Sequence, residues 1–265
     1  MSINLKQLSK ILKLSPTTVS RALAGYDDVS ERTRQRVQKA AELHGYQPNP
    51  VARRLQKGRT EAIGIVLPPG TNYFSGTFFT ELLGGISEHL SQSEHDLVIA
   101  IAPDMESEFQ ALRRMVEGKR VDGVFLVQSR IHDARIQYLH EKQFPFVVYG
   151  RTETPEPYAY IDMNGTRIFQ EACEYLYDLG HRRIAFINGP EELFFPRCCK
   201  MGYLQGLEKL GIPFDPKLLR HWHGTTAENG GYRHTLDLMR LPDPPTALLC
   251  FTEASQGVLR GLGAL

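Results

Sequence analysis

Cysteine is scarce. The chain has four in 265 residues, Cys173, Cys198, Cys199 and Cys250, and none shows metal-ligand spacing. Adjacent Cys198 and Cys199 read as ordinary thiols, a usage that suits a reducing cytoplasm. No apolar run is long enough to span a membrane. The start, MSINLKQLSK, lacks the apolar stretch of a secretion signal. There is no Walker-type glycine loop to cradle phosphate and no GxSxG to present a nucleophile. His221 and His223 flank Trp222 and can share one strand face, but no partner stands at metal spacing. They read as exposed edge residues. With no internal repeat or low-complexity segment either, catalysis, cofactor binding and membrane insertion all find little foothold.

What is present starts at the amino end. The stretch LSPTTVSRALAG (14–25) reads as a short helix. Ser15 is placed to cap it, since its hydroxyl can accept from an unpaired amide of the first turn. Pro16 follows at the first helical position, where its missing N–H costs nothing. Val19, Ala22 and Leu23 share an apolar back. Thr17, Thr18, Ser20 and Arg21 form a hydrogen-bonding front, and Gly25 is placed to stop the helix. A polar-fronted helix of this size suits a DNA major groove. Before it, Asn4 and Gln7 have capping-box spacing for a helix Leu5–Leu12, with Leu5, Leu8, Ile11 and Leu12 as its stripe. After it, Ser30 opens a third helix to about His44, with Val37, Ala40, Ala41 and Leu43 for a core. Helix, tight turn and polar-fronted helix make a helix-turn-helix plan.

Charge points the same way. Residues 1–59 hold 12 Lys and Arg against 4 Asp and Glu, a net of +8. The rest holds 19 against 26, a net of −7. A basic head on an acidic body is what phosphate neutralisation needs. Between them, YQPNPVARRLQKGR (46–59) offers Asn49 as a cap, Pro50 as a start and Gly58 as a stop for a helix too short to hold itself in water.

From Thr60 the pattern alternates. Apolar runs at 62–67, 97–102, 123–127, 146–150, 183–187 and 247–251 are separated by helical stretches such as 78–90, 106–118 and 166–180. This implies doubly wound parallel sheets, with ligand sites at the carboxyl ends of the strands. Loops there carry Asn72, Tyr73, Phe74, Phe78 and Phe79, then Gln128 and Ser129, then Arg151. The aromatic residues can stack on a sugar face or pack a core.

The head strings LKQLSKILKLSPTTVSRALAG and DDVSERTRQRVQKAAELHGYQPNPVARRLQKGRT resemble the lactose-repressor (LacI/GalR) family of bacterial transcription regulators. The likeness runs to residue 265 and is strong again in LGHRRIAFINGP (179–190). The resemblance implies an all-α helix-turn-helix head with a hinge helix (1–58, hinge 49–57) and an α/β periplasmic-binding-protein-like body (60–265). The body would be two Rossmann-like subdomains, 61–160 and 161–265. It implies a homodimer on a near-palindromic operator, DNA contacts from Ser15, Pro16, Thr17, Thr18, Ser20 and Arg21, with Pro16 and Thr17 choosing the operator and Arg21 on a base or a phosphate, and hinge contacts from Asn49 and Ala52, with Arg53 and Arg54 on phosphates or the groove wall. Leu55 would wedge into a minor-groove step. It implies no enzyme activity and no cofactor, and a small sugar effector held by Phe78, Phe79, Gln128, Arg151, Asp162, Asn164, Arg197 and Glu253. The other class weighed is a sugar-binding protein or enzyme on the same α/β fold without DNA regulation, and the basic head argues against it.

The chain departs from the family pattern at four places. Gly150 replaces an aspartate beside Arg151, and Met163 is inserted between Asp162 and Asn164. Cys199 stands three residues before the Gly202–Tyr203 pair, where the family has an anchoring arginine. Arg197 lies two residues earlier. Thr252 and Glu253 replace an Asn-Asp pair. These changes suggest an uncharged, polyhydroxylated ligand. The end, FTEASQGVLRGLGAL, halts within a helix pattern, so the second subdomain is expected to be incomplete and the body poorly stable.

Overall fold

The computed structural model describes residues 3–47, 58–67, 77–93, 95–222 and 226–265. The hinge expectation at 49–57, the aromatic loop at 72–74 and His223 lie outside the described residues. The chain divides into two compact units, Met1–Thr60 and Glu61–Leu265.

Among the described residues, the first unit is three helices, α1 (Leu5–Leu12), α2 (Pro16–Leu23) and α3 (Glu31–Leu43). Local chemistry fixes each start. The Gln7 amide donates to Asn4 Oδ1 at 2.9 Å, and the Asn4 amide donates to Gln7 Oε1 at 2.8 Å, completing a capping box. The Thr18 amide donates to Ser15 Oγ at 3.0 Å, and Ser30 caps α3 in the same way. The turn between α1 and α2 needs Lys13 in the left-handed region, at φ 53°. Leu8, Leu12, Val19, Ala22, Val29, Val37 and Ala41 fill the core. Two expected core residues do not join it: Ile11 is 50% and Leu43 81% exposed. At 3.6 residues per turn both fall at the margin of their stripes, and the three helices among the described residues leave them uncovered.

The second unit carries two parallel sheets. The first has β1 (Ala62–Leu67), β2 (Asp96–Ile101), β3 (Gly123–Leu126), β4 (Phe146–Tyr149) and β5 (Ala159–Ile161), in the order β2-β1-β3-β4-β5. One face packs on α5 (Met105–Glu117) and α6 (Ala134–Glu141), through Leu112, Met115, Ile136 and Leu139. The other packs on α4 (Thr77–Gln92), through Phe79, Leu82 and Leu83. Central β1 is buried nearly throughout, whereas edge strand β5 is exposed.

The second sheet has β6 (Ile184–Asn188) between β7 (Leu219–His221) and β8 (Ala247–Cys250). Every residue of β6 is buried. Ile184 and Phe186 face α7 (Gly165–Asp178) and α8 (Phe194–Lys209). Ala185 and Ile187 face α9 (Ala227–Met239) and α10 (Thr252–Gly263). Ile161 belongs to the first sheet, while Phe169 already packs on the second, so the crossing falls in Asp162–Met163–Asn164 rather than at 160.

His221 lies on an edge strand as expected but is not exposed, and neither is Trp222 beside it. Trp222 is buried against Phe251 and Leu238. His221 ends β7 half-buried, with Nδ1 3.0 Å from the Gly189 carbonyl oxygen and Nε2 3.3 Å from Glu191. Helix α9 covers what the pattern alone leaves open.

Helices α7 and α8 approach so closely that a Cβ at Gly202 would overlap the Thr166 carbonyl. Gly84, inside α4, has open space around it. Gly202→Ala is expected to destabilise the body by about 1–3 kcal/mol, as overpacking does. Gly84→Ala is expected to stabilise it by up to ~1 kcal/mol through helix propensity. Denaturant unfolding of both variants beside the parent checks the opposite signs.

Candidate DNA-reading face and effector crevice

The front of α2 carries the expected residues. Pro16 and Thr17 are exposed, and Thr18, Ser20 and Arg21 are half-buried. The Ser15 and Thr18 hydroxyls lie 2.8 Å apart, so the cap also orients Thr18. Arg21 is held from two sides. Its Nε donates to Asp28 Oδ1 at 3.1 Å, and Nη2 lies 2.7 Å from Oδ2. Its guanidinium also sits 4.6 Å from the Tyr26 ring centroid. Asp28 and Tyr26 come from the loop before α3 and were not singled out in the sequence. They fix the direction of a side chain that has many rotamers when free. Arg36 donates to the Leu12 carbonyl, tying α3 to the end of α1. Lys6, Lys10, Lys13, Arg32 and Lys39 remain exposed on the same unit.

In the body, the carboxyl ends of β3, β4 and β6 and the start of α8 meet. The segment after β3 reaches across: the Phe194 amide donates to the Ser129 carbonyl at 2.9 Å, and the Ile131 amide to the Glu192 carbonyl at 3.1 Å. Gln128, one of the expected ligand residues, is in the left-handed region at φ 51°. Gly150 sits at φ 109°, and a Cβ there would come within 2.5 Å of Ser129 Oγ. That approach explains why no aspartate stands at 150.

Arg151 and Asp162 meet each other: Nε donates to Oδ2 at 2.6 Å, with the carboxylate side chain 8% and the guanidinium 40% exposed. Arg151 also lies 5.5 Å from the Phe194 ring centroid. Its hydrogen bond to Asp162 raises its pKa further. Arg197 pairs with Glu153 at 2.9 Å, linking α8 to the loop after β4. Glu253 stands exposed in the first turn of α10, where a helix N-terminus favours a carboxylate. Burial, then the charges of Asp162 and Glu253, push the Tyr149 phenol up, so these three groups share one electrostatic neighbourhood.

Other expected ligand residues have structural duties. Asn164 caps α7, its Oδ1 accepting from the Arg167 amide at 3.0 Å. Phe79 is buried with Ile65, Leu67 and Val127, so core packing accounts for it. Phe78 falls in the first turn of α4. Cys199 is fully buried beside Gly165 and puts no cation at the family's arginine position. Tyr149, Glu153 and Phe194 are additions that the sequence did not reveal. Nothing local marks them, because they acquire meaning only from strands and helices far apart in the chain. Among the described residues, no group of His, Cys, Asp or Glu is arranged to hold a metal.

Burial raises all four thiols, Cys173 to about 12 and Cys250 to about 11. A raised pKa lowers the thiolate fraction at pH 8. All four are therefore expected to react with a disulfide reagent at least tenfold more slowly in the native chain than after denaturation. A thiol titration at pH 8 with and without denaturant checks this.

Comparison with known proteins matches the two units to two descriptions. Residues 10–49 match bacterial regulatory proteins of the lacI family. Residues 60–262 match periplasmic binding proteins and the sugar binding domain of the LacI family. The HTH-type transcriptional regulator AglR of Rhizobium meliloti (strain 1021) is 39% identical over 265 residues, covering 99% of this chain and 73% of that protein. A solved transcriptional regulator CelR–cellobiose complex is 28% identical, with a TM-score of 0.68 over 99% of this chain and 78% of that one. The lac repressor dimer bound to operator and the anti-inducer ONPF shares the fold, with a TM-score of 0.81 at 21% identity over 100% and 78% of the two chains. The helix-turn-helix head and the two-sheet body thus carry one assignment: the chain belongs to the LacI family and is a DNA-binding transcriptional regulator, not an enzyme.

Proposed function

We propose that the chain represses carbohydrate-utilisation genes in the cytoplasm as a homodimer, and that a neutral sugar in the crevice controls its hold on operator DNA. The observation that carries this reading is the pairing of two sites in one chain. A polar-fronted helix is capped by Ser15 and presents a braced Arg21. The strand ends of the body carry an Arg151–Asp162 pair, an Arg197–Glu153 pair, and Tyr149 within the influence of Asp162 and Glu253, which supports a ligand crevice there. Guanidinia already paired with carboxylates, Arg151 with Asp162 and Arg197 with Glu153, favour hydroxyl groups, which both donate and accept, over a free anion. The CelR structure holds cellobiose and the lac repressor structure is a dimer on operator, which supports both halves by kinship.

On DNA, Ser15, Pro16, Thr17, Thr18, Ser20 and Arg21 would face the major groove, and the 49–57 segment, with Asn49, Ala52, Arg53 and Leu55, the minor groove. In the crevice, Gln128, Arg151, Asp162, Arg197 and Glu253 would take the sugar hydroxyls, with Phe78 and Asn164 at the ends of α4 and α7 bordering them. Arg151 and Asp162, already paired, would act as one unit that both donates and accepts.

Two variants test the DNA arm, read on DNA fragments selected from a random pool. Arg21→Ala is expected to cost about 1–3 kcal/mol on the selected site and much less on random DNA, as loss of a bidentate guanine contact would. Asp28→Asn frees Arg21 and removes a negative charge near phosphate. It is expected to tighten random DNA more than the selected site, so that discrimination falls. Equal losses on both DNAs in Arg21→Ala would make Arg21 a phosphate contact only.

Glu253→Gln tests the sugar arm. It is expected to weaken the sugar found in a release screen by about 1–3 kcal/mol, the worth of a charge-assisted hydrogen bond. Affinity for DNA without sugar should stay unchanged. Loss of DNA affinity in this variant would remove Glu253 from the sugar site.

A further inference from the structure

Four charged side chains lie under the segment that bridges the crevice. Glu108, in the first turn of α5, is fully buried. It pairs with both Arg130 and Arg135. Arg135, 2% exposed, also donates from Nε to Asp133 Oδ1 at 2.9 Å and from Nη2 to Oδ2 at 2.6 Å. Its Nη2 reaches the carbonyl oxygens of Val127 at 3.3 Å and Gln128 at 3.2 Å. Asp133 accepts from the amides of Arg130 at 3.2 Å and Arg135 at 3.1 Å. Two carboxylates and two guanidinia balance, and burial would raise the Asp133 carboxyl, yet the Arg135 bonds hold it below the usual range.

A buried ion network of this kind adds little net stability over an apolar filling, because desolvation offsets the attraction. What it does supply is direction. Its bonds end on the backbone of residues 127–135. Between those anchors, Ser129 and Ile131 pair with Phe194 and Glu192, and Arg130 bridges to Leu193. Thr152 Oγ1 and the Glu153 amide both donate to the Ile131 carbonyl, at 2.7 and 2.9 Å. Arg130 shows the geometry in one residue: its backbone faces the second sheet's loop and its side chain is anchored on Glu108. Gln128 holds a left-handed conformation, costly for a residue with a side chain, with its carbonyl fixed by Arg135.

We propose that Glu108, Arg130, Asp133 and Arg135 form a positioning network that holds segment 128–131 in the shape that pairs with 192–194, and so sets how firmly the two halves of the body are joined across the crevice. This does not depend on the identity of the DNA or the sugar. It places regulation of the crevice partly in residues that touch no ligand.

Site-resolved amide hydrogen exchange on the full chain tests it. Arg130→Met removes one positive charge from the network but leaves Glu108 paired with Arg135, so no buried carboxylate is stranded without a cation. In this variant the Ile131 and Phe194 amides should exchange at least tenfold faster, while Ile65 in β1 and Phe186 in β6 keep their rates. Arg130→Lys, which retains a cation beside Glu108, should fall between variant and parent. Glu108→Gln should show the same two-site signature if it folds, and if it does not, the Arg130 pair of variants decides alone. Unchanged exchange at Ile131 and Phe194 in Arg130→Met would overturn the proposal. So would equal acceleration at Ile65 and Phe186, which would make the network ordinary core packing.

Discussion

The parallel ladder is the constraint on which the rest of the body depends. Every paired strand in both sheets runs parallel to its neighbours. Parallel strands need a crossover connection, here a helix at every step except β4 to β5, and the crossovers gather one set of loops at the carboxyl ends. Gln128, Arg151 and Asp162 all leave strands at that end of the first sheet. Loop 189–193 and Glu253 do the same in the second. The crevice is thus a consequence of strand direction, and side-chain chemistry only decorates it. In the head the corresponding constraint is capping. Asn4, Ser15 and Ser30 each satisfy an amide at a helix start, and the α2 front is exposed because Val19 and Ala22 occupy the core.

Legibility in the sequence followed the range of the interactions. Caps and the helix-turn-helix are local, and α1 and β1 fall at the residues expected. Six apolar runs predicted six strands within a residue at either end. The three-residue strand β5 escaped because so short a run has no period, and β7 was legible only as a strand face at His221; both lie at sheet edges. Ile11 and Leu43 misled because periodicity assigns a stripe but not how wide a stripe the partner helices cover. Arg151 and Asp162 were each legible as crevice residues, but their mutual bond was not, since eleven positions separate them. The Glu108–Arg135 pair, 27 positions apart, carried no signal at all: a glutamate in a first helical turn reads as solvated.

The geometry joins these parts through backbone more than through side chains. In the proposed reading, sugar recognition would act on segments 128–131 and 192–194, which are joined by backbone hydrogen bonds. A sugar bound there would compete with those contacts, which is the physical requirement for a population shift. The head, with its own core and caps, needs no rearrangement to present α2. In the proposed dimer, control would act on how two heads are held rather than on how one head is folded.

The central claim is that crevice and DNA-reading face are coupled, and coupling free energy is reciprocal. The most direct measurement determines four dissociation constants with one selected DNA fragment and one sugar: DNA with and without sugar, and sugar with and without DNA. The account predicts that the sugar weakens DNA binding at least tenfold and that the DNA weakens sugar binding by the same factor. A sugar that binds the chain with equal affinity whether or not DNA is present would contradict it.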